Sequence, residues 1–161
     1  MIDGAQIHLA LNHFPLILTI CGIVIVLVAH IRKHPFLFRS GAVFLLVGAI
    51  TAIPTYLSGE PAEDIIEGLP GVTEHYIEVH EEAALYTFIV TEILGLAAIV
   101  ALALTRKTPD YKRGLSMILL LLSLVAVTSI ARTSHLGGQI RHQELRSGET
   151  APAVPETEEH D

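Results

Sequence analysis

Four long apolar segments restrict the folds that this chain can adopt. They cover about residues 7–31, 41–57, 79–104 and 112–136, and we expect the fourth to continue as helix to about residue 145. At about 1.5 Å per residue, each helix is long enough to cross roughly 30 Å of hydrocarbon, the second being the shortest. Because 51% of the 161 residues are hydrophobic, the chain is too apolar for an ordinary soluble domain of this size. The pattern predicts an all-α transmembrane four-helix bundle in a lipid bilayer.

The basic residues indicate how the bundle is oriented. No lysine or arginine occurs between Arg39 and Arg106, so the second connection carries only acidic charge. Short cytoplasmic loops are enriched in Lys and Arg. We therefore expect the first and third connections in the cytoplasm, and both termini on the outer, periplasmic side of a bacterial inner membrane. The bases of those two connections are Arg32, Lys33 and Arg39, and Arg106, Lys107, Lys112 and Arg113.

Composition also divides the chain and excludes some functions. Residues 1–145 form the predicted transmembrane domain, and residues 146–161, rich in Pro, Glu and Thr, predict a disordered acidic tail. Nucleic-acid binding requires a basic surface, which this chain lacks. The single cysteine, Cys21, excludes an internal disulfide and a thiolate-ligated cluster.

Seven of the nine histidines fall at one predicted membrane face. Neutral imidazole is the commonest metal ligand and the usual axial ligand of haem. Helix geometry sorts six of them into a deep and a shallow layer of three, and bundle interiors build cofactor sites from side chains on facing helices in this way. The deep layer is His13, His80 and His135, the shallow layer is His8, His75 and His142, and His160 follows in the tail.

Two charged residues are predicted at membrane depth. Glu92 lies roughly 15 Å below the face, where a carboxylate costs a few kcal/mol unless it is protonated or paired. Glu92 is therefore either a protonated group bonded to a helix neighbour or a catalytic acid in a proton relay or quinol site. Arg132 is deep enough to pair with a haem propionate or with Glu92. The alternative is that it contacts only the polar interface of the membrane.

Several short motifs resemble one family. They are His8-Leu9-Ala10-Leu11-Asn12-His13-Phe14-Pro15, the turn Ser58-Gly59-Glu60, His80 with Ala83 and Ala84, and His135-Leu136-Gly137-Gly138-Gln139-Ile140-Arg141-His142. Over about residues 5–145 the chain resembles the bacterial four-helix membrane proteins grouped as domain of unknown function 2231. Members are sometimes fused to, or encoded beside, Rieske and cytochrome c domains. The resemblance implies redox partners, and ligand roles for His8, His13, His80 and His142.

Three hypotheses follow. The first is a membrane electron-transfer subunit that binds b-type haem through two histidines and passes electrons between quinol and a cytochrome c or Rieske partner. His13 with His80 or His135 is its predicted axial pair, and His8 and His142 form a second pair or a supporting shell. The second is a zinc or copper site built from histidines and a carboxylate. The third is a non-catalytic scaffold subunit of a respiratory complex. The metal candidates are His13, His80, His135 and His142.

Overall fold

Helices account for nearly all of the structure. A computed structural model describes residues 3–107 and 112–146, and this part of the chain contains no β-strand. The helices are α1 (Gly4–Leu11), α2 (His13–Arg32), α3 (Pro35–Leu57), α4 (Gly59–Ile66), α5 (Glu74–Leu104) and α6 (Arg113–Arg141), followed by a 3₁₀ turn at Gln143–Leu145. Four stretches are long and apolar enough to cross a membrane, namely Gly4–Arg32, Pro35–Ile66, Glu74–Leu104 and Arg113–Arg141. The predicted all-α bundle with four spans is confirmed.

The four long helices pack side by side as a closed ring. Helix α2 contacts α3 and α6, and α5 contacts the same two helices from the opposite corner. The short helix α1 packs against α4 at one end of the ring, together with the start of α5 and the end of α6. We call this end the histidine end. The opposite end, with the α2–α3 and α5–α6 connections, is the basic end. Which end faces the periplasm stays a prediction from the charge pattern.

The helix bounds differ from the apolar segments where polar residues take part in a helix. Helix α3 begins at Pro35 rather than near residue 41, because the His34 side chain accepts a hydrogen bond from Leu37 N–H and proline suits the first helical position. The first apolar segment is divided at Asn12 into α1 and α2. Helix α6 continues through Gly137 and Gly138 and ends at Arg141, a few residues before the expected residue 145.

Small residues bring the helices close together. A Cβ atom built on Gly41 of α3 would lie 2.6 Å from Val26 Cγ2 and 2.9 Å from Val26 N on α2. One on Gly95 of α5 would lie 2.5 Å from the Ala49 Cβ atom of α3. Lipid chains are as apolar as leucine, so close van der Waals packing of this kind holds membrane helices together. Large aliphatic side chains such as Leu121 cover the outer surface of the bundle, where they meet lipid.

Adding one methyl group tests this packing. We expect Gly41→Ala to lower the free energy of unfolding by about 1–3 kcal/mol, because the new Cβ atom overlaps Val26. Gly114→Ala is the matched control, since a Cβ atom there meets nothing within 4 Å, and alanine in a helix is about 1 kcal/mol more favourable than glycine. Thermal unfolding in detergent, followed by circular dichroism, measures both. Equal effects of the two substitutions would contradict the packing argument.

Candidate functional site

His8 is positioned by the short helix at the histidine end. Asp3 and Gln6 form a capping box that starts α1, and Gly4 approaches the carbonyl of Pro61 on α4 so closely that a Cβ atom would lie 2.6 Å from its oxygen. This packing half-buries His8 above the last turn of α3.

The hydrogen bonds of His8 define its tautomer. Nδ1 lies 3.1 Å from the carbonyl oxygen of Thr55 and 3.1 Å from Ser58 Oγ. The Ser58 hydroxyl donates its own proton to the same carbonyl, at 2.8 Å. A carbonyl oxygen only accepts, so Nδ1 carries the proton and donates it. Nε2 therefore keeps its lone pair.

His80 is positioned in the same manner by a different pair of helices. Its Nδ1 atom lies 3.1 Å from the carbonyl oxygen of Thr133 on α6, so Nδ1–H donates and Nε2 again keeps its lone pair. The ring lies against Gly137, where a Cβ atom would be 2.9 Å from His80 Cε1. The Thr133 hydroxyl bonds the Thr87 hydroxyl at 2.8 Å, which ties α5 to α6 just below the ring.

His8 and His80 both lie at the histidine end. They belong to α1 and α5, and the carbonyls that orient them belong to α3 and α6. Neither Nε2 atom has a hydrogen-bond partner among residues 3–107 and 112–146. The histidine end thus holds two oriented imidazoles, each with one nitrogen available to a ligand.

The other predicted ligands do not join this pair. His13 is exposed, and its Nδ1 atom lies 3.2 Å from the carbonyl oxygen of Leu9 in the preceding turn. The expected deep layer of His13, His80 and His135 is not assembled as a group of ligands among the described residues. Residues five apart on a helix differ by about 140° in direction, so His8 and His13 face different sides.

The candidates on α6 and beyond it also face outward. His135 is exposed, with the Gln139 side-chain nitrogen 3.4 Å from its Nε2 atom. Arg132 is exposed as well. His142 is exposed and lies 2.8 Å from Glu144. Hydrogen bonds from its own backbone N–H and from His142 hold the pKa of Glu144 below its usual range. In the described part of the chain, no three His, Cys, Asp or Glu side chains are arranged to hold a metal ion.

Glu92 occupies the groove between α5 and α3. Its Oε1 atom is buried and has no hydrogen-bond partner among the described residues, so Arg132 does not pair with it. One turn towards the histidine end, Phe88 stacks on Tyr56 of α3 with ring centroids 4.6 Å apart. One turn towards the basic end, Gly95 approaches α3. This carboxyl oxygen is thus within a membrane-spanning helix and without a hydrogen-bond partner among the described residues.

Arg146, the first residue of the predicted tail, belongs to the fold. It is 6% exposed, and its guanidinium donates to the carbonyls of Gln139 and Ile140 at 2.8 and 3.0 Å and to that of Gly71 at 2.8 Å. It also lies 4.3 Å from the centre of the Tyr76 ring. The last carbonyls of a helix need donors, and a cation is favoured there. An arginine shortly after an apolar helix was the sequence signal for this role. The predicted tail from residue 147 lies outside the described residues.

Fold and site together define a polytopic membrane protein, a four-helix bundle with two oriented histidines at one end. The family model described as "Predicted membrane protein (DUF2231)" matches residues 4–144. The chain belongs to this family, as the resemblance implied. No curated protein and no solved structure gives a significant match.

We call the contacts of Arg146 with Gly71, Tyr76, Gln139 and Ile140 the arginine clamp. A substitution tests whether this clamp stabilises the histidine end. We expect Arg146→Ala to lower the free energy of unfolding by about 2 kcal/mol, because charge-assisted hydrogen bonds and a cation–π contact are lost. It should also speed proteolysis between residues 67 and 73. Thermal unfolding and limited digestion in detergent measure the two effects. Arg141→Ala, which removes an exposed arginine from the same helix end, should leave both unchanged, and a similar loss in the two variants would argue against the clamp.

Proposed function

We propose that this protein is a membrane electron-transfer subunit that binds b-type haem, with His8 and His80 as the axial ligands. The observation that carries the proposal is the shared orientation of the two imidazoles. Each Nδ1–H donates to a backbone carbonyl, of Thr55 and of Thr133 respectively. Metal-bound histidines are usually fixed through their second nitrogen in this way, which also raises the basicity of the ligating one.

The number of available ligands favours haem over a simple metal site. A structural zinc site takes four protein ligands and a catalytic one takes three. No such group exists among the described residues. Haem iron is held within its macrocycle and requires only one or two axial side chains from the protein. Two neutral imidazoles on separate helices fit that requirement, and bound haem would supply a one-electron carrier at the histidine end.

Surface charge supports an electron-transfer partner at the same end. Acidic residues dominate α4 and the first turns of α5, and acidic surfaces steer basic soluble partners. The charge pattern of the connections supports a periplasmic location for this end in a bacterial inner membrane, where a cytochrome c or Rieske partner would meet it. The acids are Glu60, Glu63, Asp64, Glu67, Glu74, Glu78, Glu81 and Glu82.

Glu92 has a separate role in this proposal. Its unpartnered carboxyl oxygen lies in the α3–α5 groove beside the stacked Tyr56 and Phe88 rings. A quinol in the bilayer has an aromatic head group with two hydroxyl donors, and such a head group suits a carboxyl acceptor beside an aromatic pair. In this scheme an ionised Glu92 would accept one of the two quinol protons, water would accept the other, and bound haem would take the two electrons one at a time and pass each to the soluble partner.

The absorption spectrum tests the haem proposal first. Protein produced with ample haem and purified in detergent should show a Soret band, and dithionite reduction should sharpen the α and β bands. We expect His8→Ala and His80→Ala each to abolish the spectrum of two-histidine ligation. His75→Ala is the control, because His75 is an exposed histidine on the same helix as His80. A featureless spectrum of the unaltered protein would contradict the proposal. Elemental analysis for zinc and copper would then test the alternative of a metal site.

Adjacent glycines offer a more sensitive test of the His80 position. Gly137→Ala should lower the ratio of Soret to protein absorbance, because its Cβ atom would lie 2.9 Å from the His80 ring and push it from its place. Gly138→Ala should keep the ratio, because its Cβ atom makes an ordinary 3.4 Å contact with Leu145. Equal haem content in the two variants would show that His80 does not need this position to bind haem.

A further inference from the structure

Two buried hydroxyl groups in the middle of the bundle have no hydrogen-bond partner among the described residues. Thr19 of α2 and Ser123 of α6 are 0% exposed, and neither hydroxyl oxygen has a hydrogen-bond partner among the described residues. Buried Ser and Thr in helices usually bond a carbonyl of their own preceding turn. Thr91 and Ser129 do so, at 2.7 and 2.9 Å. Thr19 and Ser123 therefore depart from the common pattern, and buried polar atoms of this kind are the usual sites of internal water.

The two hydroxyls are part of a series of polar groups at successive depths of the bundle, which we call the column. At the histidine end, the column begins with the hydroxyl pair of Thr87 and Thr133, 2.8 Å apart. One turn further along the antiparallel helices are Thr91, which is 1% exposed, and Ser129. At the basic end, a 2.7 Å hydrogen bond joins His30 of α2 to Ser116 of α6. This bond defines the register of the two helices.

That register places the unpartnered hydroxyls at intermediate depths of the column, with the Thr19 hydroxyl on the side of α2 that faces Gly48 of α3. Thr19 lies about 16 Å along α2 from His30, and Ser123 lies about 10 Å along α6 from Ser116. Both are therefore between the His30–Ser116 bond and the Thr91–Ser129 level. Successive levels are separated by roughly 3–10 Å along the axis, which one to three hydrogen-bonded waters can span.

We propose that this column binds a chain of internal waters and conducts protons between the two ends of the bundle. Hydroxyl groups and water both donate and accept hydrogen bonds, so a proton can pass by successive transfers. Each group takes up one proton and releases another, and no bond is changed overall. A pH gradient or a membrane potential drives the flow, and no oxidant, reductant or cofactor is required.

The chemistry of the column suits protons rather than metal ions. Its named interior groups are hydroxyls, which carry no charge, and a dehydrated cation would need several oxygen ligands at one level. Glu92 lies outside the column, on the side of α5 that faces α3. Close helix packing alone does not account for Thr19 and Ser123, because alanine would allow the same approach without leaving a buried hydroxyl unpartnered.

Proton flux into vesicles tests the proposal. The full-length protein is reconstituted into proteoliposomes that contain a pH-sensitive dye, and a potassium gradient with valinomycin sets the potential. We expect proton uptake above that of protein-free vesicles. Ser123→Ala and Thr19→Val should each reduce it to the protein-free rate, because each removes a link of the chain. Thr128→Val should retain the flux, because Thr128 is exposed and bonds its own helix at Leu124.

Two further outcomes keep the test decisive. Thr19→Ser retains a hydroxyl group and should retain the flux, which separates the loss of a hydroxyl from a disturbance of packing. Thermal unfolding of each variant checks that the bundle is intact. The proposal is overturned if the unaltered protein gives no flux above protein-free vesicles, or if Thr128→Val loses flux as Ser123→Ala does. The assay contains no haem signal, so its result is independent of the cofactor proposal.

Discussion

The close approach of α3 to its two neighbours sets the register on which the rest of the structure depends. Within a bilayer, hydrophobic burial does not distinguish lipid from another helix, so only dense contact favours the bundle. Gly41 against Val26 and Gly95 against Ala49 provide that contact without space for a larger side chain. The same register sets the last turn of α3 under α1, where the Thr55 carbonyl meets His8.

The histidines at the histidine end differ in the contacts that fix the orientation of their rings. His8 and His80 bond carbonyls of other helices, so tertiary structure determines both their direction and their tautomer. His13 bonds a carbonyl of the preceding turn and stays exposed. Ligand affinity depends on such orientation, because an oriented ring loses little freedom on binding. For this reason His8 and His80, rather than the other histidines at the same end, are the proposed ligands.

The sequence was sufficient to predict the four spans and the family, because hydropathy and short motifs are properties of the chain alone. It was not sufficient for the contacts that orient the histidine rings. The depth argument considered only positions along each helix, whereas the carbonyls of Thr55 and Thr133, which fix the rings of His8 and His80, belong to other helices. Arg146 was missed for a related reason. Its role depends on Gly71 and Tyr76, which are distant in sequence and close only after folding.

Buried polar groups divide this bundle into two regions with different chemistry. Glu92 sits in a groove that borders the lipid, where the cost of a lone carboxyl oxygen is offset only by a proton or by a ligand with a hydrogen-bond donor. Thr19 and Ser123 are fully buried between the helices, and water is the usual partner of buried polar groups that no other side chain reaches. A dry, unpartnered hydroxyl costs stability, whereas a hydrated one contributes hydrogen bonds. Ser123→Ala is therefore stabilising if this hydroxyl is dry and destabilising if it is hydrated.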